Sequence, residues 1–264
     1  MEMKRFLLSI ALVIVSAGLF AQESQQTPQT QPQSQASVWK SAEDAYSVGD
    51  FDGAIRNYEA LCKEGAVSSS LFYNLGNAYY RKGSVGKAIL NYERALKLNP
   101  ADQDIKHNLE MARTHTLDKI DSVPQFILVE WVRNLRNKLS SNAWAILSLV
   151  FLALTAVLIL LYRFGRSASS RRVYFIIAMV MLALTLFSFL FSVSLARQAN
   201  ATDTAIVVEN IGSVKSSPAA GGNSIFVLHE GTRVKILESV EQWTRIEIQD
   251  GRQGWIKTSD IEVI

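Results

Sequence analysis

The sequence predicts a multidomain membrane protein built from α-helical repeats, two transmembrane helices and a small all-β barrel. Three observations predict it. Residues 38–115 match themselves at an offset of 34. Residues 139–162 and 173–196 each run 24 residues without Asp, Glu, Lys, Arg or His. Residues 203–264 are short Val- and Ile-rich runs, alternating in places and broken by Gly, Pro and Asp-Gly, which is the pattern of short strands joined by tight turns.

The N-terminal residues come first. Residues 1–21 read as a signal peptide: Lys4 and Arg5 precede the apolar run 6–20, and Ala21 offers a cleavage edge. Residues 22–37, rich in Gln, Ser, Thr and Pro, have too little apolar surface to offset chain entropy and are expected to be a disordered tether.

In the repeat region, residues 38–117, Gly49, Ala54, Ile55, Asn57, Tyr58 and Glu59 recur as Gly83, Ala88, Ile89, Asn91, Tyr92 and Glu93. A 34-residue period of paired helices is the tetratricopeptide pattern. The second copy resembles that family closely through Leu75, Gly76, Tyr79, Ala88, Tyr92, Ala95 and Pro100. Gly76 and Ala88 should let the two helices of the hairpin approach, with Tyr92 between them. A further helix near residues 102–116, with Ile105, Leu109 and Ala112 as its stripe, is expected to cap the array. The single cysteine, Cys62, reads as a small core residue.

The resemblance implies a concave groove lined by the first helix of each repeat. At spacing i, i+4, i+7 its candidate peptide-binding or partner-binding residues are Trp39, Glu43 and Tyr46, then Tyr73, Asn77 and Tyr80, with Arg81 beside them. The aromatic rings supply contact area, and Asn77 should hold a peptide backbone through both its amide and its carbonyl. Trp39, Glu43 and Asp104 stand where the family's carboxylate clamp would need basic residues, so a C-terminal carboxylate is not the expected ligand.

Residues 124–139 place Leu128, Trp131, Val132, Leu135 and Leu139 on one helical face, opposite Glu130, Arg133, Asn134 and Asn137. That suits a helix lying in the membrane interface. Each 24-residue run then covers roughly 36 Å as a helix, against a bilayer core of about 30 Å. Residues 140–162 and 173–196 are therefore the two spans. The link 163–172 carries Arg163, Arg166, Arg171 and Arg172, which places it in the cytoplasm and both soluble domains in the periplasm.

Residues 203–264 read as five short strands closing a small barrel. Val214-Lys-Ser-Ser-Pro218, Leu228-His-Glu-Gly231 and Asp250-Gly-Arg-Gln-Gly-Trp255 follow one another in an order that resembles a bacterial SH3-type domain. Trp243 and Trp255, with Phe226 third, are its candidate ligand surface; as core or lid residues they would serve the fold instead.

Charge excludes some functions. Residues 122–202 hold eight basic and one acidic residue, whereas residues 203–264 hold six basic and nine acidic. The positive excess flanks the membrane, where lipid headgroups are its natural partner, and no nucleic-acid face is expected. His107, His115 and His229 are dispersed, so no metal and no cofactor is expected, and no catalytic constellation is recognised. Asp121-Ser122-Val123 and Asp203-Thr204-Ala205 have the form of an O-glycosylation tripeptide used on secreted bacterial proteins, and equally of ordinary turn residues.

The order of signal, repeats, hairpin and SH3-type barrel, with Asn108-Leu-Glu-Met-Ala-Arg113, Trp144-Ala-Ile-Leu-Ser-Leu and Gly254-Trp255-Ile256, resembles BatE-like members of the bacterial Bat (aerotolerance) group. That resemblance implies a non-enzymatic inner-membrane scaffold working with von Willebrand-type Bat proteins and a MoxR-type ATPase. A peptidoglycan sensor acting through the SH3-type domain, or a regulatory subunit of a membrane enzyme, are the alternatives.

Overall fold

The computed structural model describes residues 32–120 and 126–264. The signal peptide, residues 22–31 of the tether and Ser122 lie outside the described residues.

Five helices build the repeat region: α1 (Pro32–Ser47), α2 (Phe51–Lys63), α3 (Ser69–Lys82), α4 (Val85–Leu98) and α5 (Gln103–Arg113). Helix α1 begins earlier than the Val38 boundary expected from composition. Proline is compatible with the first helical position, and extending a helix already nucleated by its packed turns is cheap, so the end of the presumed tether is helical. Local capping sets the other starts: Asp50 accepts the Gly53 N–H at 2.8 Å, Ser68 accepts the Leu71 N–H at 3.1 Å, and Asp102 accepts the N–H groups of Asp104 and Ile105. Gly83 ends α3 at φ +87°, where a side chain would be strained.

Helix α4 is the centre of this half, burying Ala88, Ile89, Leu90, Tyr92 and Ala95. Gly76 on α3 does what its place in the repeat predicts, since a Cβ there would lie 2.7 Å from the Tyr92 ring. Cys62 packs against the same core, and burial pushes its thiol up.

Helix α6 (Ile127–Arg136) leaves Phe126, Ile127, Leu128 and Trp131 exposed. Only Leu135 of its apolar side packs inward, against Trp144 and Phe191. Helices α7 (Ser141–Phe164) and α8 (Ala168–Asn200) form an antiparallel hairpin, and both are long and apolar enough to span a membrane. Ser141 and Ser192 exchange hydroxyl-to-carbonyl hydrogen bonds at 3.0 Å each, and Trp144 meets Phe191 edge-on at 5.0 Å. The link is shorter than the ten-residue loop expected. Arg163, Arg171 and Arg172 continue the helices, because arginine is a good helix former, and Ser167 caps α8.

The C-terminal strands are β1 (Thr204–Val207), β2 (Ile211–Lys215), β3 (Ser224–His229), β4 (Arg233–Val240), β5 (Trp243–Glu247), β6 (Gln253–Lys257) and β7 (Ile261–Val263). They form one antiparallel sheet in the order β3-β2-β6-β5-β4-β1-β7. This is two strands more than the sequence suggests. The first expected strand is broken near Glu209 and Asn210, so β1 pairs with β4 and β7 while β2 pairs with β3 and β6. The chain's last turn adds β7. Ala205, Val207, Val214, Leu228, Ile246 and Ile256 fill the core. Gly254 is required there: a Cβ would stand 2.4 Å from Val214.

The two soluble halves dock on each other. Ile206 and Ile264 are buried in the helical core cluster. Arg94 on α4 reaches Glu262 at 3.0 Å and the Val263 carbonyl, and Lys97 donates to the Ala201 carbonyl and to a main-chain oxygen of Ile264. The Gly86 N–H donates to Glu230 at 2.8 Å, and buried Glu93 is shared by Arg113 and Arg233. Hydrophobic contact with charged bonds around it is the anatomy of a specific interface.

Candidate functional site

On the repeat surface, residues of α1, α2 and α3 surround one cavity. Glu43, Tyr46 and Asn77, with Tyr58 and Asn74, line this cavity of about 300 Å³. Trp39 stands at its edge, donating its indole N–H to Glu43 at 2.7 Å and meeting Tyr58 edge-on at 5.6 Å. Burial, and then the Glu43 charge, push the Tyr58 hydroxyl up to about 12, against the opposing hydrogen bond with Asn74. The phenol therefore stays a neutral donor and acceptor near neutral pH. Aromatic faces, two amides and one carboxylate in a shallow cavity suit an extended peptide or a helix edge.

Of the other expected groove residues, Tyr73 and Tyr80 turn toward α5 and the residues that follow it, and Arg81 turns toward α2. Tyr73 accepts from Asn108 Nδ2 at 3.0 Å, and the Tyr80 hydroxyl lies 3.1 Å from His115 Nε2. Arg81 stacks over Phe51 at 5.0 Å. Asn77 Oδ1 accepts both the Tyr92 hydroxyl, at 2.8 Å, and Asn108 Nδ2, at 3.0 Å. Its carbonyl is thus committed inside the repeat and only its amide is left to offer, which revises the double role read from sequence. Tyr58, Asn74, Asn108 and His115 are not among the groove residues expected from the sequence. The repeat offset carried the signal for two pairs, since Asn108 follows Asn74, and Tyr92 follows Tyr58, by one period of 34.

In the sheet, Trp243, Arg245 and Glu247 pair with Lys257, Trp255 and Gln253, while Thr244 and Ile246 pair with Ile256 and Gly254 on the buried side. Trp243 and Trp255 therefore share the outer face. Lys215, the register partner of Trp255, sets its ammonium 5.2 Å over the Trp243 ring. Trp243 is buried and Trp255 half-exposed. Phe226 pairs with Val214 on the core side, under Arg252 at 4.8 Å. The structure joins two of the three candidates and separates the third. Thr204 lies within β1.

Comparison with known families agrees with this geometry. Residues 40–103 match the tetratricopeptide repeat family, and residues 212–262 match the bacterial SH3 domain family. No curated protein matches the chain. The chain thus carries a tetratricopeptide repeat segment and a bacterial SH3 domain, set on either side of two helices of membrane-spanning length.

Proposed function

We propose that this protein is a non-enzymatic scaffold of the bacterial inner membrane, anchored by α7 and α8, with both soluble domains in the periplasm. The observation that carries the adaptor role is the aromatic and amide cavity of Glu43, Tyr46, Tyr58, Asn74 and Asn77. Two things support the topology. The four link arginines favour a cytoplasmic turn, and contacts between the domains on either side of the hairpin, through Arg94, Lys97 and Asp118, favour a common side. By resemblance, the partners are von Willebrand-type Bat proteins and a MoxR-type ATPase in an envelope-stress or aerotolerance complex.

The test is capture of partners by the full chain from detergent extracts. Glu43→Ala with Tyr46→Ala removes two cavity walls, the exposed Glu43 and the half-buried Tyr46 at the rim of the core. It should abolish capture while helical content and melting stay near those of the parent. Full-strength capture by that variant would place binding elsewhere. Asn77→Ala is the poorer probe, because it would orphan Tyr92 and Asn108.

A second reading has its own observation. The half-exposed Trp255, beside Trp243 and Arg245, gives the SH3 domain an aromatic outer face suited to cell-wall glycopeptide. Retention on purified sacculi, lost in Trp255→Ala, would favour it over the adaptor.

A further inference from the structure

Where α4, α5, α6, the end of α8, β1 and β4 meet, the structure encloses an open cavity of about 700 Å³. Six basic side chains line it: Lys97, Lys106, Arg133, Arg136, Arg197 and Arg233. Only two acidic ones do, Glu93 and Asp203, and Glu93 is already shared between Arg233 and Arg113, which lies outside the cavity. The enclosed charge is strongly positive.

Part of this charge is held in place by neutral groups. Arg136 donates to Ser194 Oγ at 2.9 Å, to Gln198 Oε1 at 2.6 Å and to Asn137 Oδ1 at 3.2 Å. Lys97 is fixed by the Ala201 carbonyl and by a main-chain oxygen of Ile264. Burial, and then the neighbouring Arg133, push the Arg136 guanidinium down, and burial pushes the Lys97 ammonium down against the opposing charge of Asp203. Guanidinium groups converging from several elements are suited to phosphate oxygens, and the volume is that of a small-ligand site.

The cavity's height along the molecule identifies the source of the anion. Trp144, in the first turn of α7, donates its indole N–H to the Arg136 carbonyl at 2.8 Å. Ser194 and Gln198 lie where α8 leaves its apolar run. Helix α6, which carries Arg133 and Arg136, presents Phe126, Leu128 and Trp131 uncovered. With the hairpin in a bilayer, those apolar groups lie at the acyl boundary and the basic cavity at the phosphate layer.

We propose that this cavity binds a phosphate-bearing anion, and that its source is the headgroup of an anionic membrane lipid. The proposal rests on the membrane reading above. Bound there, the lipid would bridge the repeat domain, the interfacial helix and the SH3 domain, and so couple their arrangement to the bilayer surface.

The test uses the full chain in nanodiscs of phosphatidylcholine containing a minor fraction of phosphatidylglycerol, with lipid retention read by native mass spectrometry. Lys106→Gln with Arg197→Gln removes two cavity charges. The control pair, Arg163→Gln with Arg166→Gln, removes two charges at the other end of the hairpin. At about a factor of five per basic residue near the surface, the cavity variant should lose phosphatidylglycerol retention by roughly tenfold or more, and the control should keep it. Equal loss in both, or no phosphatidylglycerol preference in the parent, would overturn the lipid assignment. Saturable binding of inorganic phosphate in nonionic detergent, lost in the cavity variant and without lipid preference, would keep the phosphate site and reassign its source. Resistance to alkaline carbonate extraction reports membrane insertion separately. A chain that extracts fails the membrane reading, whereas one that resists extraction but shows neither lipid nor phosphate binding fails this proposal alone.

Discussion

Asp118 and His229, separated by 111 positions, are bound to each other twice. The carboxylate of Asp118 accepts the His229 backbone N–H at 2.7 Å and lies 2.8 Å from its ring Nδ1, while the Thr232 hydroxyl donates to the same carboxylate at 2.7 Å. This clasp fastens the segment leaving the helical repeats to the turn between β3 and β4. Gly231, in that turn at φ +87°, leaves room for Ile89 and Thr116, each 2.7 Å from where its Cβ would be.

Asp118→Ala should therefore loosen the docking of the two domains. Loss of charge-assisted hydrogen bonds at a part-buried site costs about 1.5–3 kcal/mol. Amide hydrogen exchange in β3 and β4 should rise without a matching rise in α3. Unchanged protection throughout would show that the clasp contributes nothing.

The clasp also has a pH dependence. Burial pushes the Asp118 carboxyl up, but the bonds from the His229 backbone, Thr232 and the His229 ring outweigh it and leave it below its ordinary value of 3.8. A carboxylate lowered in the folded state stabilises fully above its unfolded value, and that contribution is lost as pH falls through the folded one. Docking should weaken below about pH 4. The acid shift in midpoint seen by tryptophan fluorescence should shrink in Asp118→Asn, and an identical acid profile in the variant would contradict the assignment.

Gly76→Ala tests the repeat core. Its new methyl group would press on the Tyr92 ring, and overpacking of this kind costs about 1–3 kcal/mol. The helical signal should melt earlier, with β-sheet fluorescence little affected. A melting point at or above the parent's would mean that α3 and α4 are not as close as described.

The two tryptophans of the outer sheet face should separate by substitution in the full chain. Trp243 is buried under Lys215, so Trp243→Ala should destabilise the SH3 domain by roughly 3 kcal/mol. Trp255→Ala should change stability by less than about 1 kcal/mol. The reverse ranking in denaturant titration would make Trp255 the structural residue.

Much of the architecture is legible in the residues because each part is written locally. A hairpin that must pack repeats its small and aromatic residues at one period, as Gly49, Ala54 and Tyr58 do, and the two helices of spanning length are plain as uncharged runs. The break at Glu209 and Asn210 is less visible, because a two-residue turn inside a Val- and Ile-rich stretch barely interrupts its composition. The domain seam is invisible to pattern. Arg94, Lys97, Glu93 and Asp118 read as ordinary solvated charges until the fold brings Glu262, Ile264, Arg233 and His229 beside them. The commitment of Asn77 to Tyr92 and Asn108 is hidden for the same reason, since it needs three helices in register.

The proposed scaffold has both soluble domains on one side of the membrane, and site-specific cysteine labelling in intact cells tests this directly. In a Cys62→Ala background, Ser70→Cys reports the repeat domain, Ser224→Cys the SH3 domain and Ser169→Cys the turn of the hairpin; Ser70, Ser224 and Ser169 are all exposed. An impermeant maleimide applied to cells with a permeable outer envelope should label the first two and spare the third until the inner membrane is opened. Labelling of only one of Ser70→Cys and Ser224→Cys, or labelling of Ser169→Cys alone, would contradict it.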